Sequence, residues 1–271
     1  MAIKLFVTDM DGTLLNSQHI ISEENKQAVQ EAAAAGVTVT IATGRAYSTT
    51  LDYAKELGVD VPIITYNGAL IRTVKGKELF ASYLEPAVVE DVLRYSFSRD
   101  WYVQLYNHTE NSDHLYIEKS CEFSNYYEVM VGAKGDPVGR EGMLQHCSHV
   151  PKMLVMTKGD AETKAVLAEL QSVFGNRIFP VQSNEVFAEI IGENVNKGAA
   201  VLHLAGIMGI KADEIMVIGD SHNDLPMMKV AGKRVAMGNA DETVKNICDY
   251  LTSDCDADGV AAALRKYVLK Q

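Results

Sequence analysis

The chain reads as an α/β protein with a parallel sheet, interrupted by an inserted α+β domain. Three observations predict this. Short apolar runs alternate with helical stretches from the first residues, the same alternation resumes in the last third, and the stretch between them has a different texture. A length of 271 residues, past the size at which a single core grows efficiently, favours two cores.

Residues 3–7 form a short apolar run that ends in a polar turn, the pattern of a buried strand with chemistry at its carboxyl end. Ser22 is placed to N-cap a helix running through Ala28, Val29 and the helix-favouring alanines 32–35, with Gly36 closing it. Residues 37–42 form a second strand, residues 47–57 a helix ended by Gly58, and residues 62–66 a third strand. Strand, helix, strand, helix, strand in this order implies parallel strands joined by right-handed crossovers.

From about Pro86 the texture changes. Trp101, the only tryptophan, falls with Tyr95, Tyr102, Tyr106, Tyr116, Tyr126 and Tyr127 before residue 130. Helices are expected over residues 86–99 and 161–174, and strands over 101–106, 114–118, 152–157 and 177–181. After residues 185–191 the alternation resumes, with a helix over 197–208, a strand over 214–219, a helix from Asp224, a strand over 235–237 and a final helix over 257–269. The expected organisation is a core of residues 1–84 and 188–271 around an insert of residues 85–187. The aromatic residues of the insert read as its own core rather than as a stacking platform.

Composition excludes several classes. The formal net charge of -11, with no cluster of Lys and Arg, argues against a nucleic-acid partner. The N-terminal apolar run is too short for a secretory segment and is broken by Asp9 and Asp11, and no later run is long enough to span a membrane. Cys121, Cys147, Cys248 and Cys255 lack metal-ligand spacing and read as free thiols, which fits a cytoplasmic protein. No GxGxxG turn follows a strand, so a nicotinamide-dependent dehydrogenase is excluded.

The chemistry gathers at strand ends. Asp9 and Asp11, two apart at the end of an extended segment, project to one side, and Gly12 turns the chain away. Carboxylates that close call for a hard divalent cation or a cationic side chain. A solvated acidic turn would explain the pair alone, but not the matching polar strand ends elsewhere. Thr43-Gly44-Arg45 offers a hydroxyl, an amide and a guanidinium before a helix, donors that suit a phosphate. Arg45 serves equally well as a solvent-facing residue. Lys197 begins a helix, against the positive end of the macrodipole, where an anion should compensate it, although by itself it reads equally as an exposed lysine. Residues 219–224, Gly-Asp-Ser-His-Asn-Asp, supply oxygen ligands straight after an apolar strand. His222 among them is a poor ligand for a hard ion and reads as exposed.

These four segments, DMDGT at 9–13, Thr43, Lys197 and GDSHND at 219–224, resemble in order and spacing the four motifs of the haloacid dehalogenase superfamily. The long insert resembles its type IIB cap, and Asn67-Gly68-Ala69 and Asp258-Gly259-Val260 resemble the Cof-like subfamily. The resemblance covers nearly the whole chain and implies a Rossmann-like core carrying a cap that closes over small substrates. It implies Asp9 as nucleophile and Asp11 as the acid, then the base. It implies Mg²⁺ held by the Asp9 carboxylate, the Asp11 carbonyl and Asp220, with Asn223 and Asp224 supporting directly or through water. Thr43, Gly44, Lys197 and the amides of Met10 and Asp11 would hold the phosphoryl group, with Asn67 and Gly68 lining the same pocket.

Asp11 favours transfer to water, since the dehalogenase branch lacks this acid. The expected function is therefore Mg²⁺-dependent hydrolysis of a small phosphorylated metabolite, a sugar phosphate or a relative of one. A phosphomutase or phosphotransferase using the same Asp9 chemistry ranks below it, and a non-catalytic metabolite sensor lower still, because every motif position is intact. The sequence leaves the oligomeric state open.

Overall fold

A computed structural model describes residues 2–58, 62–109 and 112–270. The chain divides into two units: residues 1–44, 50–79 and 196–271 form the first, and residues 45–49 and 80–195 the second.

The first unit opens with β1 (Leu5–Thr8), α1 (Glu23–Ala34), β2 (Thr38–Ile41), α2 (Tyr47–Glu56), whose first turn belongs to the second unit, and β3 (Pro62–Thr65). The hairpin β4 (Leu70–Thr73) and β5 (Glu78–Ala81) follows, with Phe80 and Ala81 already in the second unit. The first unit is completed later by α7 (Lys197–Met208), β12 (Ile215–Gly219), α8 (Leu225–Val230), β13 (Lys233–Ala236), α9 (Glu242–Lys245), β14 (Tyr250–Leu251) and α10 (Gly259–Leu264). Its sheet runs β14-β13-β12-β1-β2 with every pair parallel, and a parallel bridge from Ala42 to Ile64 carries the order on to β3. Both central strands, Leu-Phe-Val-Thr and Ile-Met-Val-Ile-Gly, are buried along their whole length, which explains unbroken apolar runs where a one-faced strand would alternate.

Ser22 caps α1 as expected, its hydroxyl accepting the Asn25 N–H at 3.1 Å, and Ala28, Val29 and Ala32 form the buried face. The hairpin β4–β5 was not anticipated, because its strands are only four residues each and the polar residues Arg72, Thr73 and Glu78 interrupt its apolar pattern. The last helix is shorter than the periodicity implied. Asp258 is left-handed at φ 55°, so α10 begins at Gly259, and residues 265–269 continue it as a wider π-turn.

The second unit contains α3 (Pro86–Ser98), β6 (Tyr102–His108), β7 (Asp113–Ile117), α4 (Glu122–Val131), β8 (Asp136–Pro137), α5 (Gly139–Leu144), β9 (Met153–Met156), α6 (Asp160–Phe174), β10 (Phe179–Asn184) and β11 (Phe187–Ile191). They build a six-stranded sheet in the order β10-β11-β9-β6-β7-β8. One face, with Val103, Leu105, Met153, Val155, Ala188 and Ile190, packs with Val89, Val92, Leu93, Val166 and Leu170 of α3 and α6 into a single core. Trp101 and Tyr95 border that core, with Tyr95 edge-on to both Trp101 and Phe174.

The unit is wider than the expected 85–187. Residues 187–191 pair with both β9 and β10, which ties the segment to this sheet, and the unit extends to Val195. The short helices α4 and α5, 10 and 6 residues long, went unread. Among the described residues no helix is long and apolar enough to cross a membrane. All four cysteines are free.

Candidate active site

Parallel strands present their carboxyl ends on the same side, and in the first unit β1, β2, β3 and β12 end there in Asp9, Thr43, Tyr66–Gly68 and Asp220–Asp224. All of the sequence-predicted site residues lie in this unit. Backbone bonds lock the strand ends together. The Asp9 N–H donates to Ile218 O at 3.0 Å, Thr43 N–H to Ile64 O at 2.9 Å, and Asn67 N–H to Thr43 O at 3.0 Å.

Lys197 is the hub. Its side chain is fully buried, and Nζ donates to Asp9 Oδ1 at 2.6 Å, Asp224 Oδ1 at 2.7 Å and Asn223 Oδ1 at 3.3 Å. The cation at a helix N-terminus thus has the anions it required. Asn196 caps α7 through Ala199 N–H at 2.9 Å. Gly198 brings the helix against the backbone of α8, where a Cβ would lie 2.3 Å from Pro226 O. Burial alone would push Lys197 down, but the Asp224 and Asp9 carboxylates outweigh it and hold its ammonium above its ordinary value.

Carboxylate oxygens of Asp9, Asp220 and Asp224 lie within 4.8 Å of one another. Burial, then the Asp224 charge, raises Asp9 well above the ordinary carboxylate range despite Lys197. Burial and Asp224 likewise push Asp220 up to about 7. Three acids against one buried cation leave uncompensated negative charge, which is what a divalent ion with oxygen ligands neutralises, so the residues fit Mg²⁺. Thr13, quoted in the first motif but given no role, donates to Asp220 Oδ1 at 2.6 Å and orients it. Gly12 is left-handed at φ +71°, and a Cβ there would stand 2.7 Å from Asp220 Oδ2, so only glycine lets the first loop pass.

Both carboxylate oxygens of Asp224 accept hydrogen bonds within the cluster. Its Oδ1 accepts from Lys197, and its Oδ2 accepts the N–H groups of Asp220 at 2.9 Å and Ser221 at 3.1 Å. Asn223 spends its oxygen on Lys197 and on Ser221 Oγ at 2.8 Å, and its nitrogen on Asn67 Oδ1 at 3.1 Å. The Asp11 carboxylate stands apart, 44% exposed and 3.7 Å from His19 Nδ1. Asn239, which nothing in the sequence marked, donates to Gly12 O at 2.8 Å and accepts Cys255 N–H at 2.9 Å. His222 is exposed as expected and pairs with Asp241 at 2.9 Å. Arg45, by contrast, is buried, so the solvent-facing alternative is removed.

These shifts have a thermodynamic consequence for the metal-free protein. A carboxyl whose folded pKa is raised stabilises the fold below its unfolded value, near 4, and that contribution is lost as pH rises through the folded value. In EDTA, stability is therefore expected to fall between about pH 4 and pH 7 as Asp220 ionises, with Asp9 adding to the loss. Carboxylates held low, among them Asp249 by Arg234, Glu214 by Lys4 and Asp256 by the Ser17 N–H, act at lower pH. Melting temperatures across that range test it: a fall in EDTA that Mg²⁺ suppresses is expected, and a flat or rising profile in EDTA contradicts it.

Residues 6–264 match the haloacid dehalogenase-like hydrolase family. A 5-amino-6-(5-phospho-D-ribitylamino)uracil phosphatase of Bacillus subtilis, YcsE, is 32% identical, covering 98% of this chain and 96% of its own. Among solved structures, a haloacid dehalogenase-like hydrolase from Bacteroides thetaiotaomicron superposes with a TM-score of 0.86 at 27% identity, over 97% of this chain and 99% of that one. TM0651 from Thermotoga maritima superposes with a TM-score of 0.82 at 30% identity, over 97% of each chain.

Proposed function

The chain belongs to the haloacid dehalogenase-like hydrolase family and is a phosphatase, and from this premise we propose that it is of the Cof-like, IIB-capped class and hydrolyses small phosphomonoesters, sugar phosphates or related metabolites, with Mg²⁺, through an aspartyl-phosphate on Asp9. The observation that carries this reading is the fully buried Lys197 ammonium bridging Asp9 and Asp224 inside a cluster of three acids. A phosphoryl group is the substrate fragment that such a balance of one cation, a divalent ion and backbone N–H groups accommodates.

In this reading Asp9 and Asp220, with the Asp11 carbonyl, hold Mg²⁺, while Asn223 and Asp224 support them. When bound, the ion would supply charge neutralisation for the acid cluster and the incoming phosphate. Thr43, Gly44, Lys197 and the amides of Met10 and Asp11 hold the phosphoryl oxygens, and Asn67 and Gly68 form the adjoining wall. An Asp9 carboxylate oxygen attacks phosphorus as the bond to the ester oxygen breaks, and Asp11 gives that oxygen its proton. Asp11 then takes a proton from water, which attacks phosphorus and releases phosphate and free Asp9. The exposure of the Asp11 carboxyl, outside the acid cluster, suits a group that must exchange a proton. The ribityl phosphate in the name of the Bacillus relative supports a polyol or sugar ester as the substrate class.

The test is phosphate release from sugar phosphates, nucleotides, pyridoxal phosphate and an aryl phosphate, with Mg²⁺ or EDTA. Release from at least one ester that EDTA abolishes is expected. Release unchanged by EDTA removes the metal from the reading, and transfer that occurs only when an acceptor alcohol is supplied replaces hydrolysis with phosphotransfer.

A further inference from the structure

Tyr66, Asn67 and Gly68 follow β3 with φ of 51°, 55° and 104°, three successive left-handed residues. At a tyrosine this conformation is uncommon, and it persists where surrounding contacts over-determine it. Those contacts run to three parts of the site. Asn67 N–H donates to Thr43 O at 3.0 Å, and Asn67 Oδ1 accepts from Asn223 Nδ2 at 3.1 Å. Gly68 presses on the carbonyl of Asn196, the residue before Lys197, where a Cβ would come within 2.4 Å.

The Asn67–Asn223 bond has a defined polarity. An ammonium only donates, so Asn223 must turn its oxygen toward Lys197, and the Ser221 hydroxyl donates to that same oxygen at 2.8 Å. The Asn223 NH₂ therefore points the other way, and Asn67 must answer with its own oxygen. All three side chains are buried, so water does not stand in for a missing partner at low cost.

We infer that Asn67 is a positioning residue: its side-chain oxygen fixes the orientation of the Asn223 carboxamide, and through it the third acceptor of the Lys197 ammonium. The inference rests on the reading of Lys197 as a holder of the phosphoryl group. Without the Asn67 side chain, the Asn223 NH₂ loses this acceptor, and the carboxamide is held only through the Lys197 and Ser221 bonds to its oxygen. Rotation would then bring its NH₂ against the ammonium, and Lys197 would be held by Asp9 and Asp224 alone.

The experiment uses two substitutions. Asn67→Gly retains the left-handed backbone and removes only the side chain, and Asn67→Asp is isosteric and keeps an acceptor facing Asn223. With Mg²⁺ and the best ester of the panel, Asn67→Gly should lose roughly tenfold to hundredfold in kcat with KM changed less than about threefold. Asn67→Asp should stay within about tenfold of the parent kcat and above Asn67→Gly. Combined with Asn223→Ala, Asn67→Gly should add no further loss, since both act on one unit. Losses that multiply, a defect of Asn67→Gly carried by KM, or an Asn67→Asp no faster than Asn67→Gly each overturn the inference, the first two pointing to direct phosphate contact. Lys197→Ala keeps the two readings apart. If that variant retains parental kcat, the reading of Lys197 falls, whereas if it is inactive and the cycle is additive, only the positioning role falls.

Discussion

Asp9→Asn is expected to reduce phosphate release by about 10⁴-fold or more in kcat while leaving the protein folded. The amide is a far weaker nucleophile than the carboxylate, and no neighbouring acid replaces it, because Asp224 is fully engaged by Lys197 and two backbone N–H groups. Stability should move the other way. Asp9 sits with Asp220 and Asp224, its ionisation opposed by burial and by both charges. A neutral side chain of the same shape removes one like charge and still accepts from Lys197. In EDTA at neutral pH the variant should melt no lower than the parent, and Mg²⁺ should raise its melting temperature by less. Acid-quenched intact mass during turnover should show a phosphoryl adduct on the parent and none on the variant. Activity retained within about 100-fold would remove Asp9 from the nucleophile's role.

Lys197→Ala is expected to lose both activity and stability. Removing the cation strands Asp9 and Asp224, both buried, and breaking a buried pair from one side costs about 3–5 kcal/mol. In a chain of this size that corresponds to a melting temperature lower by on the order of 10 °C. The kcat should fall by about 10³-fold or more, the scale set by removing a fixed donor from a developing oxyanion. Lys197→Met separates charge from packing, since the thioether refills most of the stem's space. It should recover part of the stability and none of the activity. If both variants melt within about 2 °C of the parent, the pairing contributes little to the fold and the account of the hub is wrong.

Much of this was legible because chemistry and local structure coincide. Asp9, Thr43, Lys197 and Asp220 sit where an apolar strand or a helix begins or ends, so periodicity located them before any contact was known. The compensating anions of Lys197 were implied by its place at a helix start and are supplied by Asp9 and Asp224. What escaped are groups whose role is a contact made across the sequence. Thr13 meets Asp220 across 207 positions, and Asn239 meets Gly12 across 227. A threonine in a turn or an asparagine in a loop carries no local mark of such a partner. The second unit hid more for a related reason. Lys152 and Glu189 form a buried pair at 2.6 Å, with the ammonium over the Tyr106 ring, yet Lys152 stands just before the apolar strand β9 and Glu189 within the apolar strand β11, where each looks like an exposed exception. The segment 187–191 likewise reads as any apolar strand, and only its pairing with β9 and β10 assigns it to the insert.

The central strand β1 lies between β2, its near neighbour in sequence, and β12, which begins at Ile215. During synthesis, then, Asp9 leaves the ribosome long before Lys197 and Asp224, which surround it. At about 5–20 residues per second, on the order of ten seconds or more separates Asp9 from Asp224. Apart from the short segment 45–49, the second unit is one continuous stretch with its own core and becomes available as a whole while the first is still missing its inner strand. Translation thus makes the continuous stretch of the second unit available before β12 and Asp224, and the surroundings of Asp9 are completed after it.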